Sequence, residues 1–285
     1  MTVRTIMVPV RGDDRGKGLL DHALALGKKS LAHIEVVHCR PRPEDMLPFG
    51  VFLPASMREQ IAAAAGNMAD TEEQTLRPLF DTYAAEHDLE IVDAPPWPAD
   101  RLSISWRERT GKQASILAVH GRLADVIVVP RPDRSQNVGV NTLEAALFST
   151  GKSVLMCPAG SVESLGDHVS IAWNGSAESA RAVTMALPIL TSASKVTILS
   201  VGSEGTPDIG PEALSVFLAT HGIKSDVVSK DTGRIAQTLL ETSVECGADM
   251  LVMGAYGQSR QLEMVMGGVT QHIVDHAELP VLMSH

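Results

Sequence analysis

The chain has 285 residues, 44% of them hydrophobic and 20% charged, which is the composition of a folded globular protein long enough for two domains. Its formal net charge of −10 argues against a broad nucleic-acid surface, which needs clustered Lys and Arg, but it leaves room for one nucleotide held by main-chain amides. No apolar stretch reaches the roughly 20 residues that cross a bilayer, the amino terminus lacks a signal-peptide layout, and Cys39, Cys157 and Cys246 stand too far apart for a zinc knuckle or a disulfide framework; a cytoplasmic protein without membrane contact is expected.

From the amino terminus onward, near-continuous apolar runs alternate with helix-length segments, the pattern of buried parallel strands joined by crossover helices. The first part predicts strands near 5–10, 34–39, 89–93 or 101–106, 125–129 and 153–157, with helices near 16–30, 56–87, 112–121 and 141–150. After its second strand comes 41–61, in which Pro41, Pro43, Pro48 and Pro54 disfavour regular structure. Met46, Leu47, Phe49, Val51, Phe52 and Leu53 make that segment unusually apolar for a loop, so it reads as a flap packed on its own domain or as an interface. The second part predicts strands near 169–173, 195–201, 224–229, 249–253 and 280–284, and helices near 176–191, 210–221, 233–246 and 268–277.

These two parts are copies of one unit. Residues 4–39 share with 168–201 the order strand, polar glycine turn, amphipathic helix, strand; ADVIVVP at 124–130 corresponds to ADMLVMG at 248–254, and SVLMC at 153–157 to PVLMS at 280–284. A connector of small and polar residues, Ala159 to Asp167, lies between them, so the expected domains are 1–159 and 166–285. The fold class is α/β: two tandem open parallel five-stranded sheets with helices on both faces and right-handed crossovers. Ligands on such sheets gather at the carboxyl ends of the strands, where strand order reverses.

Chemistry concentrates in the last copy. Gly254 follows the apolar run Met250 to Met253, Gly257 comes three residues on, and Gly267 and Gly268 open a helix with apolar residues at Val269, Ile273, Val274 and Ala277. Glycines let a ligand approach the backbone, and a helix N-terminus offers unpaired N–H groups and the positive end of a dipole, so strand, glycine loop and helix together suit a phosphate. The same glycines also serve a tight strand-to-helix turn, and the spacing alone does not separate these uses.

The spacing Gly-x2-Gly-x9-Gly with the tail VTQHIVDHAELPVLM resembles the nucleotide-binding signature of the universal stress protein family, and the tandem αβ layout resembles that family over nearly the whole chain. The resemblance implies an ATP-binding tandem protein that acts as a stress-response factor, with ADP and AMP as further ligands and Mg2+ as a companion. It places the nucleotide against Ala172, Asn174, Val201, Gly254, Gly257, Arg260, Gly267, Gly268 and Val269. Two positions depart from the family pattern: Asn174 stands where an acidic residue is usual, and Gly268 where a Ser or Thr is usual. In the first copy Pro130 and Asp133 take the places of Gly254 and Gly257, removing a donor and adding a negative charge, so one competent site per chain is expected. Pairing of tandem chains into a dimer is also implied.

Catalytic motifs are missing. Gly151-Lys152-Ser153 lacks the upstream glycine of a phosphate loop and precedes a strand, and no GxSxG or HExxH pattern occurs. His272 and His276 sit one helical turn apart without a third ligand, Ser176 suits a helix N-cap, and the cysteines suit buried inert thiols. Any ATP hydrolysis would be slow. The alternatives are an interaction scaffold of the same fold that binds no nucleotide, and an adenylating or flavoprotein relative.

Overall fold

The computed structural model describes residues 2–10, 16–42, 45, 54–133, 139–202, 207–257 and 268–285. The first half runs β1 (Thr5–Val10), α1 (Gly16–Lys28), β2 (His33–Arg40), α2 (Ala55–Glu86), β3 (Glu90–Ile91), β4 (Ser103–Thr110), α3 (Gln113–His120), β5 (Val126–Pro130), α4 (Val140–Ser149) and β6 (Ser153–Cys157). The second runs β7 (His168–Ala172), α5 (Ala177–Leu190), β8 (Lys195–Val201), α6 (Pro211–Thr220), β9 (Asp226–Lys230), α7 (Ile235–Glu245), β10 (Met250–Gly254), α8 (Val269–His276) and β11 (Val281–Ser284). Most of the segment expected to form a flap, at 43–44 and 46–53, lies outside the described residues.

The halves repeat one strand order, β4-β2-β1-β5-β6 and β9-β8-β7-β10-β11, as the internal repeat predicts. They do not form two separate sheets. β6 and β11 pair antiparallel, Val154 opposite Met283, Leu155 opposite Leu282 and Met156 opposite Val281, and fuse everything into one sheet of 11 strands. Both strands are almost wholly apolar and buried. Left as edges, they would expose hydrophobic surface and a row of unpaired N–H and C=O groups, and joining them removes both costs. Every other pairing among the described strands is parallel.

The two alternatives at 89–93 and 101–106 both form strands. β3 is a two-residue edge, and β4 continues through the charged stretch Arg107–Thr110 beside β2. That extension is held by ion pairs between the strands: Arg107 lies 3.7 Å from Glu35 and Arg40 lies 3.1 Å from Glu108. Hydrophobic periodicity sees only the apolar start of such a strand.

Side chains alternate across the sheet and build two cores. One face, with Ile6, Val8, Ile34, Val169 and Ile198, is covered by α1, α2, α5 and α6; the other, with Met7, Val37, Val129, Leu251 and Met253, by α3, α4, α7 and α8. Each core crosses the β6–β11 seam without a break, since Leu155 and Leu282 belong to the first and Val154, Met156, Val281 and Met283 to the second. Among the described residues no helix is long and apolar enough to cross a membrane.

Candidate functional site

In the second half the chain steps outward from β7 to β8 and β9, then returns to place β10 on the other side of β7. The carboxyl ends of β7 and β10 therefore flank the point where strand order reverses, which is where open sheets hold ligands. Beyond β7 the backbone is tied down residue by residue. The Trp173 N–H donates to the Leu199 carbonyl at 2.9 Å, and its indole Nε1–H donates to the Ile209 carbonyl at 2.9 Å. The indole is thereby fixed to the short turn Pro207–Ile209. Gly175 turns at φ 74° beneath Ile209, where a Cβ would stand 3.2 Å from the Ile209 side chain. Ser176 caps α5, its Oγ accepting the Ser179 N–H at 3.2 Å. Asn174, in the turn after β7, accepts the Ser176 N–H on its Oδ1 at 3.1 Å, so its oxygen serves the turn itself.

Beyond β10, Gly254 has a packing duty. A Cβ there would lie 2.5 Å from the Glu178 carbonyl carbon and 2.5 Å from the Ser179 nitrogen, so only glycine lets the first turn of α5 close onto the strand end. Ala255 is buried and its N–H donates to the Ser284 carbonyl at 2.9 Å. Tyr256 adopts a left-handed φ of 55°, held by its N–H donating to the buried Thr270 hydroxyl at 3.1 Å. Gly257 then emerges, exposed, with a Cβ position only 2.8 Å from Glu178 Oε2.

Gly268 caps α8 with no side-chain hydrogen bond, and among the described residues no side chain caps the first-turn amides from Val269 onward. Ala172 and Val201, half-buried at the ends of β7 and β8, pack on the core face that α8 covers. Of the residues picked out from the sequence, Ala172, Asn174, Val201, Gly254, Gly257, Gly268 and Val269 all stand at this end of the sheet, while Arg260 and Gly267 lie outside the described residues.

Sequence reasoning missed Glu178, Thr270 and Phe148. Glu178 is half-buried, and among the described residues its carboxylate has no hydrogen-bond or ionic partner. Its signal in the sequence is faint, an acid in a first helical turn, where the helix dipole alone would explain it. Phe148, from α4 of the first half, lays its ring 5.2 Å from Tyr256 and 4.8 Å from His285. That contact joins the glycine segment to the other half, across the antiparallel seam.

The first half has a matching crevice of different chemistry. A cleft of about 620 Å³ opens there, lined among others by Lys17, Pro130, Asp133, Cys157, Ser161 and Asp275. Gly139 caps α4 with φ 87°, as Gly268 caps α8. Arg131 Nη1 donates to the carbonyls of Asp275 and Ala277, each at 3.2 Å, so α8 reaches this crevice as α4 reaches the other. The Cys157 thiol donates to the Leu155 carbonyl, and full burial pushes its pKa well up, as suits an inert thiol. His272 and His276 stack with ring centroids 4.2 Å apart, and no group of three metal-binding side chains occurs among the described residues.

Residues 167–285 match the sequence model of the Universal stress protein family. A universal stress protein from Archaeoglobus fulgidus superposes with a TM-score of 0.73 at 14% identity, covering 99% of this chain and 96% of that one. A functionally unknown protein from Pseudomonas aeruginosa gives 0.60 at 15% identity, covering 99% and 92%. At these identities the likeness is one of fold. No curated protein matches the chain. With the repeated strand order and the glycine segment at the switch point, these matches lead to one conclusion: the chain carries a universal stress protein family domain at residues 167–285, joined through a shared sheet to a first half of the same topology.

Proposed function

We propose that the chain is a tandem nucleotide-responsive factor of the cytoplasm, with domains at 1–159 and 166–285, in which the second domain binds an adenine nucleotide at the carboxyl ends of β7 and β10. The observation that supports this most is the meeting of exposed Gly257 with the amino end of α8, which among the described residues lacks a side-chain cap, at the point where strand order reverses. Ala172 and Val201 would take the base, Asn174 the ribose side, and Gly254, Gly257, Gly268 and Val269, together with Arg260 and Gly267, the phosphates, with Mg2+ as a companion ion. The first domain, with Pro130 and Asp133 in place of the glycines, would act as its partner without a nucleotide of its own. Occupancy would be felt across the seam through Tyr256 and Phe148, which touch at 5.2 Å. Tandem chains would pair further into dimers.

One observation favours the scaffold alternative: the Asn174 oxygen is engaged in its own turn. Two measurements separate the two. Purified protein denatured and examined by mass spectrometry should release ATP, ADP or AMP, and Gly257→Val, which drives a side chain into the Glu178 carboxylate, should lose that ligand while staying folded. An empty wild-type protein that also fails to bind millimolar adenine nucleotide would leave the scaffold standing.

A further inference from the structure

We infer that Glu178 sets the charge of the ligand, so that the second-half crevice takes a nucleoside or nucleoside monophosphate in preference to a triphosphate. This rests on the adenine-nucleotide reading of that crevice and adds to it which member of the class is admitted.

The geometry is direct. The Gly254 position brings the first turn of α5 onto the end of β10, and the close fit there, with Cβ-to-backbone distances of 2.5 Å, leaves Glu178 little freedom to withdraw its main chain. Its side chain then extends along the loop until Oε2 stands 2.8 Å, and Cδ 3.3 Å, from where a Gly257 Cβ would be. Any phosphate drawn to the Gly257 amide comes within a few ångströms of a carboxylate that no described group neutralises. Among the described residues neither hydrogen bond nor ion pair involves the Glu178 carboxylate.

Like charges at about 5 Å, in surroundings intermediate between water and protein, repel by about a factor of ten in affinity for each added charge. Adenosine adds no charge and a monophosphate about two, whereas a triphosphate brings about four to the same loop. The uncharged end of the ligand meets no such obstacle. Moreover, the carboxylate is suited to accept a hydrogen bond from a ribose hydroxyl.

Isothermal titration of the full-length protein with adenosine, AMP and ATP in EDTA at pH 7.5 tests this, with Glu178→Gln and Glu178→Lys as variants and circular dichroism to confirm that they fold. Wild-type protein should bind AMP at least about tenfold more tightly than ATP, Glu178→Gln should bring the two within about threefold, and Glu178→Lys should reverse the order. Adding Mg2+ to wild-type protein should narrow the AMP-to-ATP ratio without any substitution, because the cation neutralises phosphate charge. A wild-type preference for ATP in EDTA, or a ratio that neither variant nor Mg2+ moves, overturns the role of Glu178 while leaving nucleotide binding intact. If none of the three ligands binds wild type or variants, the adenine-nucleotide reading itself fails, and this inference with it.

Discussion

Gly254 and His33 show how much single positions decide. A methyl group at 254 would stand 2.5 Å from two backbone atoms of α5, so Gly254→Ala has to push the helix off the strand. Chemical denaturation should show a loss of about 1–3 kcal/mol, the usual cost of overpacking. His33 is buried, stacked on Trp97 at 3.8 Å, with Nδ1 2.8 Å from the Ser103 hydroxyl and Nε2 2.9 Å from the Ser105 hydroxyl. Burial first, and Arg107 second, lower its pKa from 6.5 to about 4. Because the folded state disfavours the imidazolium, the full stability is present above the unfolded value of 6.5 and is lost as pH falls from there towards 4. His22, its pKa also lowered mainly by burial, acts in the same direction. Denaturation midpoints should therefore fall between pH 6.5 and 4, by on the order of 2–3 kcal/mol in unfolding free energy from His33, and His33→Gln should flatten part of that slope.

At the scale of elements, the glycine segment depends on two neighbours in sequence-distant places, the Thr270 hydroxyl and the Phe148 ring. Phe148→Ala should cost about 1–3 kcal/mol for a half-buried ring and should speed amide exchange at Ala255 and Tyr256 relative to the rest of the sheet. Such dependence also explains what the sequence could reveal. Strands and helices with strong apolar periodicity, such as β1, β8 and α5, are legible to within a residue or two, because alternate burial on a sheet or a helix writes itself into the pattern. β4 was legible only in its apolar first half, since its outer residues are held by Arg40, Glu35 and their partners. In the site, glycines announce themselves. Glu178 does not, because its importance comes from a neighbour, Gly257, that lies far along the chain and reaches it only after β10 has been inserted beside β7.

For the whole molecule, the seam between β6 and β11 is the feature that no local pattern foretells. Apolar strands near 153–157 and 280–284 are each readable alone, but their pairing is a contact between residues more than a hundred positions apart, and the alternative of two separate sheets fits the same sequence signals. Its strength is open to test. A fragment of residues 1–159 would expose the edge of β6, and sedimentation should find it self-associated or aggregated at concentrations where the full chain is not. Because β6 and β11 run in opposite directions, every strand of one half points against every strand of the other. The carboxyl ends of the strands, and the two crevices with them, consequently face opposite ends of the sheet. A molecule bound at one end of the sheet would therefore leave the approach to the other end open, with the doubled sheet lying between.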